Sequence, residues 1–279
     1  MGNEWTLVFF TVLAALGTGT FVGVGVSEWS GKAAYVRRPG AVLSLVVLAA
    51  SGISSVLHLA HPERIFGALG HPTSGIFMEA LMIGLTGLGV LAYLIALQKD
   101  ASSQTRKRIT LISAAPAILL AFAVGDTYVM TSRPAWDTLV LPGVYLVSAA
   151  VMGCFSLSVL LARKEGAGIA VGVQRATLVA LGIQVVLIAA YLVAVAIAPY
   201  PDATRSATRV LAGNLAPLFW GGIVLIGLLI PAGLMALKKA ATLSAPAAML
   251  GLLCVMVGAV AFRLLMFNLG TSICQFFPA

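Results

Sequence analysis

Thr6-Leu-Val-Phe-Phe-Thr-Val-Leu-Ala-Ala-Leu-Gly-Thr-Gly-Thr-Phe-Val-Gly-Val-Gly-Val26 carries no charged side chain. A helix crosses the roughly 30 Å hydrocarbon core of a bilayer with about 20 mostly apolar residues, and this run is long enough. Gly17, Gly19, Gly23 and Gly25 lie within it, and small residues let helices approach closely in a membrane. The preceding Met1-Gly-Asn-Glu-Trp5 has no basic segment, so the run reads as a first span rather than a cleaved signal peptide.

The rest of the chain repeats that pattern. Of 279 residues, 60% are hydrophobic and 9% charged, and the mean hydropathy is +1.05. A soluble domain needs about 25% charged residues to cover its surface. This composition excludes an ordinary cytosolic enzyme, a disordered chain and a nucleic-acid reader. Cys154, Cys254 and Cys274 show no metal-ligand spacing, so neither a resident metal nor a disulfide framework is expected.

Apolar windows occur at about 6–27, 40–60, 76–97, 109–131, 139–162, 176–198, 210–237 and 244–268. Strand alternation is absent, which argues against a barrel. The predicted fold is an all-α integral membrane protein, a single eight-helix transmembrane bundle over residues 1–279. One set of alternate connections holds twelve basic residues: Lys32, Arg37, Arg38, Lys99, Arg106, Lys107, Arg108, Arg163, Lys164, Arg175, Lys238 and Lys239. The opposite set holds Arg64, Arg133, Arg205 and Arg209. Basic residues collect on the cytoplasmic side, so both termini are expected on the outer, periplasmic or extracellular, side. The net charge of +8 is then topology rather than a polyanion site.

Ionisable groups inside spans are expensive and usually face a cavity or the bundle interior. His58, Glu79, Asp126 and Arg263 are such groups, and the expected topology brings all four to one depth near the outer boundary. Taken singly, each is also consistent with a solvated helix end, and Arg263 with a neutralising partner for Asp126. Together they suggest a polar pocket. An imidazole exchanges protons near neutral pH, and a neighbouring carboxylate can orient it or carry the proton onward. This suits a lipid-borne quinol, which loses two electrons and two protons on oxidation. Ser51, Ser54 and Ser55 share or adjoin the His58 face, as hydrogen-bonding or packing residues. A b-type haem is not expected, because only His58 of the three histidines lies clearly within a span.

The stretch Val56-Leu-His-Leu-Ala-His-Pro-Glu-Arg-Ile-Phe-Gly-Ala-Leu69, followed by Ser74-Gly-Ile-Phe-Met-Glu-Ala-Leu81, resembles the membrane-anchor subunits of dimethyl sulfoxide reductase, the DmsC type. That family has a His-Leu-x-x-Pro-x-Arg-x-Phe run and then a glutamate in the next helix. The resemblance implies a menaquinol-oxidising subunit, without haem, in an anaerobic respiratory complex of the bacterial cytoplasmic membrane. Its partners would be a four-cluster ferredoxin-like iron–sulfur subunit and a molybdopterin catalytic subunit. Iron–sulfur clusters and molybdopterin would reside in those partners. By the same resemblance His58 matches the histidine of menaquinol oxidation, Glu79 the acidic residue of the next helix, and Arg64 the loop arginine. His61 departs from the family pattern and leaves open which histidine meets the headgroup.

The expected catalytic pair is therefore His58 and Glu79. The quinol-binding set adds Ser55, His61, Arg64, Asp126 and Arg263. Arg64, Arg205 and Arg209 are expected to dock the iron–sulfur partner, or alternatively to meet lipid phosphates. Three other readings remain at this stage: a proton-coupled transporter, an assembly scaffold with no site of its own, and a polysulfide-reductase-type anchor that keeps quinone chemistry.

Overall fold

A computed structural model describes residues 2–58, 67, 70–162, 168–198, 203–236 and 243–270, with backbone alone at residues 2–4, 58, 203 and 204. These residues are helical or in turns, without strand. The helices are α1 (Gly2–Ser30), α2 (Arg37–His58), α3 (Gly75–Gln98), α4 (Ser103–Asp126), α5 (Val140–Leu161), α6 (Ala170–Ile197) and α7 (Ala203–Leu211). A π-helix (Pro217–Leu229) then continues directly into α8 (Ile230–Ala236), and α9 (Ala245–Leu269) follows. Eight of these helical stretches are long and apolar enough to cross a membrane. The chain is a multi-pass membrane protein.

Burial divides the spans into two classes. In α1, α5 and α9, 78%, 72% and 61% of the apolar window is covered by protein, against 28% to 39% in the other five. The three buried helices form the centre, and the others present apolar residues such as Leu88, Ile112 and Val186 outward. Lipid is as apolar as leucine, so central packing must come from close fit rather than from escape from water. Glycine supplies that fit. A Cβ on Gly19 of α1 or on Gly153 of α5 would enter the facing helix's backbone, and Gly227 of the π-helix meets Gly258 of α9 in the same way. α2 is tied to α1 by hydroxyls, with Ser44 donating to the Gly17 carbonyl at 2.8 Å and Ser51 to the Phe10 carbonyl at 3.0 Å.

Three spans depart by several residues from an expected bound: α6 begins at Ala170 rather than 176, and two others differ for identifiable local reasons. α4 begins at Ser103 and ends at Asp126, several residues earlier than hydropathy predicts at each end. Ser102 caps it by accepting from the Thr105 amide at 3.1 Å, so the polar Arg106-Lys-Arg108 turn is helical. The expected span from residue 210 starts instead at Pro217. Gly213 and Asn214 interrupt the helix after α7, and Pro217 suits a first-turn position because it lacks an amide donor. The Trp220 indole then donates back to the Leu211 carbonyl at 2.9 Å.

The spans alternate in direction, which gives the bundle two ends. α1, α3 and α5 close, and α2, α4, α6 and α9 open, at the end that holds Glu28. The other end holds Glu79, the close of α2, α4 and α9, and the helix α7.

Candidate functional site

Glu79 lies in the second turn of α3. That helix is started by Ser74, whose hydroxyl accepts from the Phe77 amide at 3.2 Å. The first helical turn leaves amide donors unsatisfied, and the serine supplies an acceptor there. Glu79 is buried at 8% exposure, and its carboxyl lies beside the Thr127 hydroxyl. That hydroxyl donates to the Ala123 carbonyl at 2.9 Å. A cavity of about 390 Å³ opens between the start of α3 and the end of α4, lined by Thr73, Gly75, Met78, Met82, Asp126 and Thr127 among others. Its volume falls in the usual range for small-molecule sites. Asp126 is the last residue of α4 and is exposed on the cavity wall.

Behind Thr127 the chain turns into a buried aromatic group. The Tyr128 ring lies 5.5 Å from Trp136, 5.9 Å from Tyr145 and 5.6 Å from Phe267, centre to centre. Burial holds the Tyr128 phenol well above its usual range, so it stays protonated as a donor. The 127–139 connection is tied down by the Trp136 indole, which donates to the Met266 carbonyl at 2.8 Å. Arg133 stacks over Trp136 and donates to the Gly270 carbonyl. The Tyr191 hydroxyl donates to the Ala135 carbonyl at 2.9 Å.

Arg263 is 1% exposed. Its Nε donates to Thr11 Oγ1 at 2.7 Å and its Nη1 to the Ala259 carbonyl at 3.0 Å. The guanidinium carbon lies 4.4 Å from the centre of the Tyr145 ring, a cation–π contact. Among the described residues Nη2 has no hydrogen-bond partner, and no carboxylate pairs with Arg263. The alternative reading of Arg263 as a neutralising partner for Asp126 is therefore not what the structure shows. Arg263 points into the α1–α5–α9 centre, whereas Asp126 faces outward.

Other expected site residues fall as follows. His58 is the last residue of α2, at the Glu79 end, and its side chain lies outside the description. His61 and Arg64 lie outside the described residues. Ser55 is half-buried on α2. Ser51, read as a possible site donor, spends its hydroxyl on the Phe10 carbonyl, because α1 covers that face of α2. Arg205 is exposed on α7, and Arg209 binds Asn214 Oδ1 at 3.1 Å.

A second polar centre was missed by reading the sequence. Glu28, 1% exposed, lies near the close of α1. Its Oε2 accepts from the Tyr93 hydroxyl at 2.8 Å and lies 3.2 Å from Arg37 Nη1. Its Oε1 accepts from Arg106 Nε at 3.1 Å. Arg37 Nη2 also donates to the Ser27 carbonyl at 3.1 Å. One carboxylate thus joins α1, α2, α3 and α4. A usable signal existed: Glu28, Asp100 and Glu165 are the acidic residues among the connections and helix ends that hold the twelve bases.

The sequence profile of the family described as DMSO reductase anchor subunit (DmsC) matches residues 1–269. No curated protein matches the chain.

Proposed function

The chain belongs to the DMSO reductase anchor subunit (DmsC) family, and on that premise we propose that it oxidises menaquinol at the Glu79 end of the bundle. It would deliver the electrons to an iron–sulfur partner subunit, which would pass them to a molybdopterin catalytic subunit. The observation that carries this reading is the cavity between α3 and α4, with Asp126 on its wall and Glu79 buried immediately behind Thr127. The cavity lies at the bundle end where α2 finishes in His58.

The chemistry follows from the groups present. Quinol oxidation releases two protons as the two electrons leave. An imidazole at the close of α2 can take a hydroxyl proton, since its ordinary pKa lies near neutrality. Glu79 can accept the second proton or relay the first, and the exposed Asp126 offers a way from the cavity to water. Arg263, packed over the Tyr145 ring that Tyr128 in turn contacts, would add a positive charge that favours electron-rich oxygen atoms.

By the positive-inside rule the Glu79 end faces the periplasm or exterior of a bacterial cytoplasmic membrane. Protons would then leave on that side. Arg205 and Arg209 sit on α7 at the same end, the side we take for docking of the iron–sulfur partner; Arg64, assigned to that role from the sequence, lies outside the described residues. Docking there keeps the electron path from the headgroup short.

The test is quinol-dependent reduction of the partner's clusters in the assembled complex. Glu79→Gln and His58→Arg should each lower that rate by about 100-fold, the usual loss when a proton acceptor is removed. A wild-type rate in the His58→Arg complex would overturn the assignment. Substrate uptake by the chain alone in liposomes would favour a transporter instead.

A further inference from the structure

We propose that the groove between α5 and α6 is a binding site for an anionic phospholipid, with its phosphate held by Lys32 and Lys107 at the Glu28 end. A cavity of about 540 Å³ runs along α5, walled by α1 and α4 on one side and α6 on the other. It stays open because its walls are small: Gly19, Gly23, Ala150, Cys154, Gly172 and Ala176. Its surface is almost wholly apolar. Along α5 it extends from Leu146 to Leu157, about 16 Å at about 1.5 Å per residue. That matches one leaflet of hydrocarbon, about 15 Å or half of the bilayer core.

The mouth of the groove supplies the charge. Gly168, which lines it, lies against the Lys32 stem, and Lys32 Nζ reaches the Gly168 carbonyl at 3.4 Å. On the other wall Val26 lines the groove, and Trp29 stands one turn further along α1, exposed. Lys107 Nζ lies 5.8 Å from the centre of the Trp29 ring. Among the described residues neither lysine pairs with a carboxylate, since Glu28 is committed to Arg37 and Arg106. Two ammonium groups thus lie at the Glu28 end of an acyl-sized slot, one against Gly168 and the other over the exposed ring of Trp29, a residue type common where lipid headgroups meet water. Charge complementarity selects an anionic headgroup over a zwitterionic one. A quinone tail fits the slot less well, because its headgroup would meet two cations and no partner for its hydroxyl protons.

The full chain, purified in mild detergent, should retain phosphatidylglycerol through washes that remove phosphatidylcholine, as read by native mass spectrometry. Lys32→Gln with Lys107→Gln should lower phosphatidylglycerol retention by about tenfold, given the usual strength of lysine attraction to anionic lipid. Ala150→Phe with Ala176→Phe fills the exposed groove and should abolish retention. The lysine pair is on the surface, so it decides the matter even if the phenylalanine pair does not fold. Equal retention of both phospholipids, preferential retention of added menaquinone, or unchanged retention in the lysine variant would each overturn the proposal.

Discussion

The two ends of this bundle bury charge in opposite ways. At one end both oxygens of Glu28 are occupied, by Tyr93 and Arg37 on one and Arg106 on the other. At the other end Arg263 is as deeply buried, yet it makes do with a hydroxyl, a carbonyl and an aromatic face. Glu79 lies on a different helix, beside a cavity. A closed ion cluster fixes four helices against one another. The Arg263 arrangement leaves one buried guanidinium donor without a partner among the described residues, so it is a weaker anchor than the Glu28 cluster.

That contrast can be broken by substitution. The largest effect is expected from Glu28→Ala, which strands the buried Arg37 and the half-buried Arg106. Removing one partner of a buried pair costs about 3 to 5 kcal/mol, and thermal unfolding of the purified complex should show it as a large fall in Tm. Tyr93→Phe removes one hydrogen bond to the same carboxylate and should cost about 1.5 to 3 kcal/mol, the usual value for a charged acceptor. If both variants unfold like the wild type, the Glu28 centre is not a clamp.

Arg263→Met should behave in the reverse sense. An apolar replacement for a buried charge is often neutral or stabilising by about 1 kcal/mol or more, so the Tm should hold or rise. Quinol-dependent electron transfer should nevertheless fall by about tenfold or more, the scale of losing one electrostatic contact at a reacting centre. A fall in Tm together with unchanged electron transfer would make Arg263 a structural residue and remove the contrast. Asp126→Asn, at an exposed helix end, should change stability by less than about 0.5 kcal/mol. Its expected effect is a modest slowing of proton release, measurable as a shift in the pH profile of quinol oxidation.

Much of this was legible in the residues. The spans are composition and length, and both are local properties. Glu79 stood out because a carboxylate five residues into an apolar run has no cheap surroundings. Glu28 was not legible in the same way. It follows Val26 and Ser27 at the end of a span, where a solvated carboxylate is ordinary. Nothing local reports that Arg37, Tyr93 and Arg106 converge on it from three other helices. For Ser51 the spacing left a hydrogen-bonding and a packing role open, and only the structure, in which α1 covers that face of α2, selects packing.

The amino-acid order alone therefore determined the eight segments, all among the described residues, that are long and apolar enough to cross a membrane, because a bilayer tests each segment separately for apolar length. It also determined the distribution of basic residues, which the membrane reads loop by loop. The tertiary structure decided which helices are central, through glycine contacts such as Gly19 with Gly153. It decided too which buried charges meet an opposite charge, as Glu28 does, and which, like Arg263, do not among the described residues. Those outcomes depend on groups far apart in sequence meeting in a medium that cannot solvate them, and no single segment carries that information.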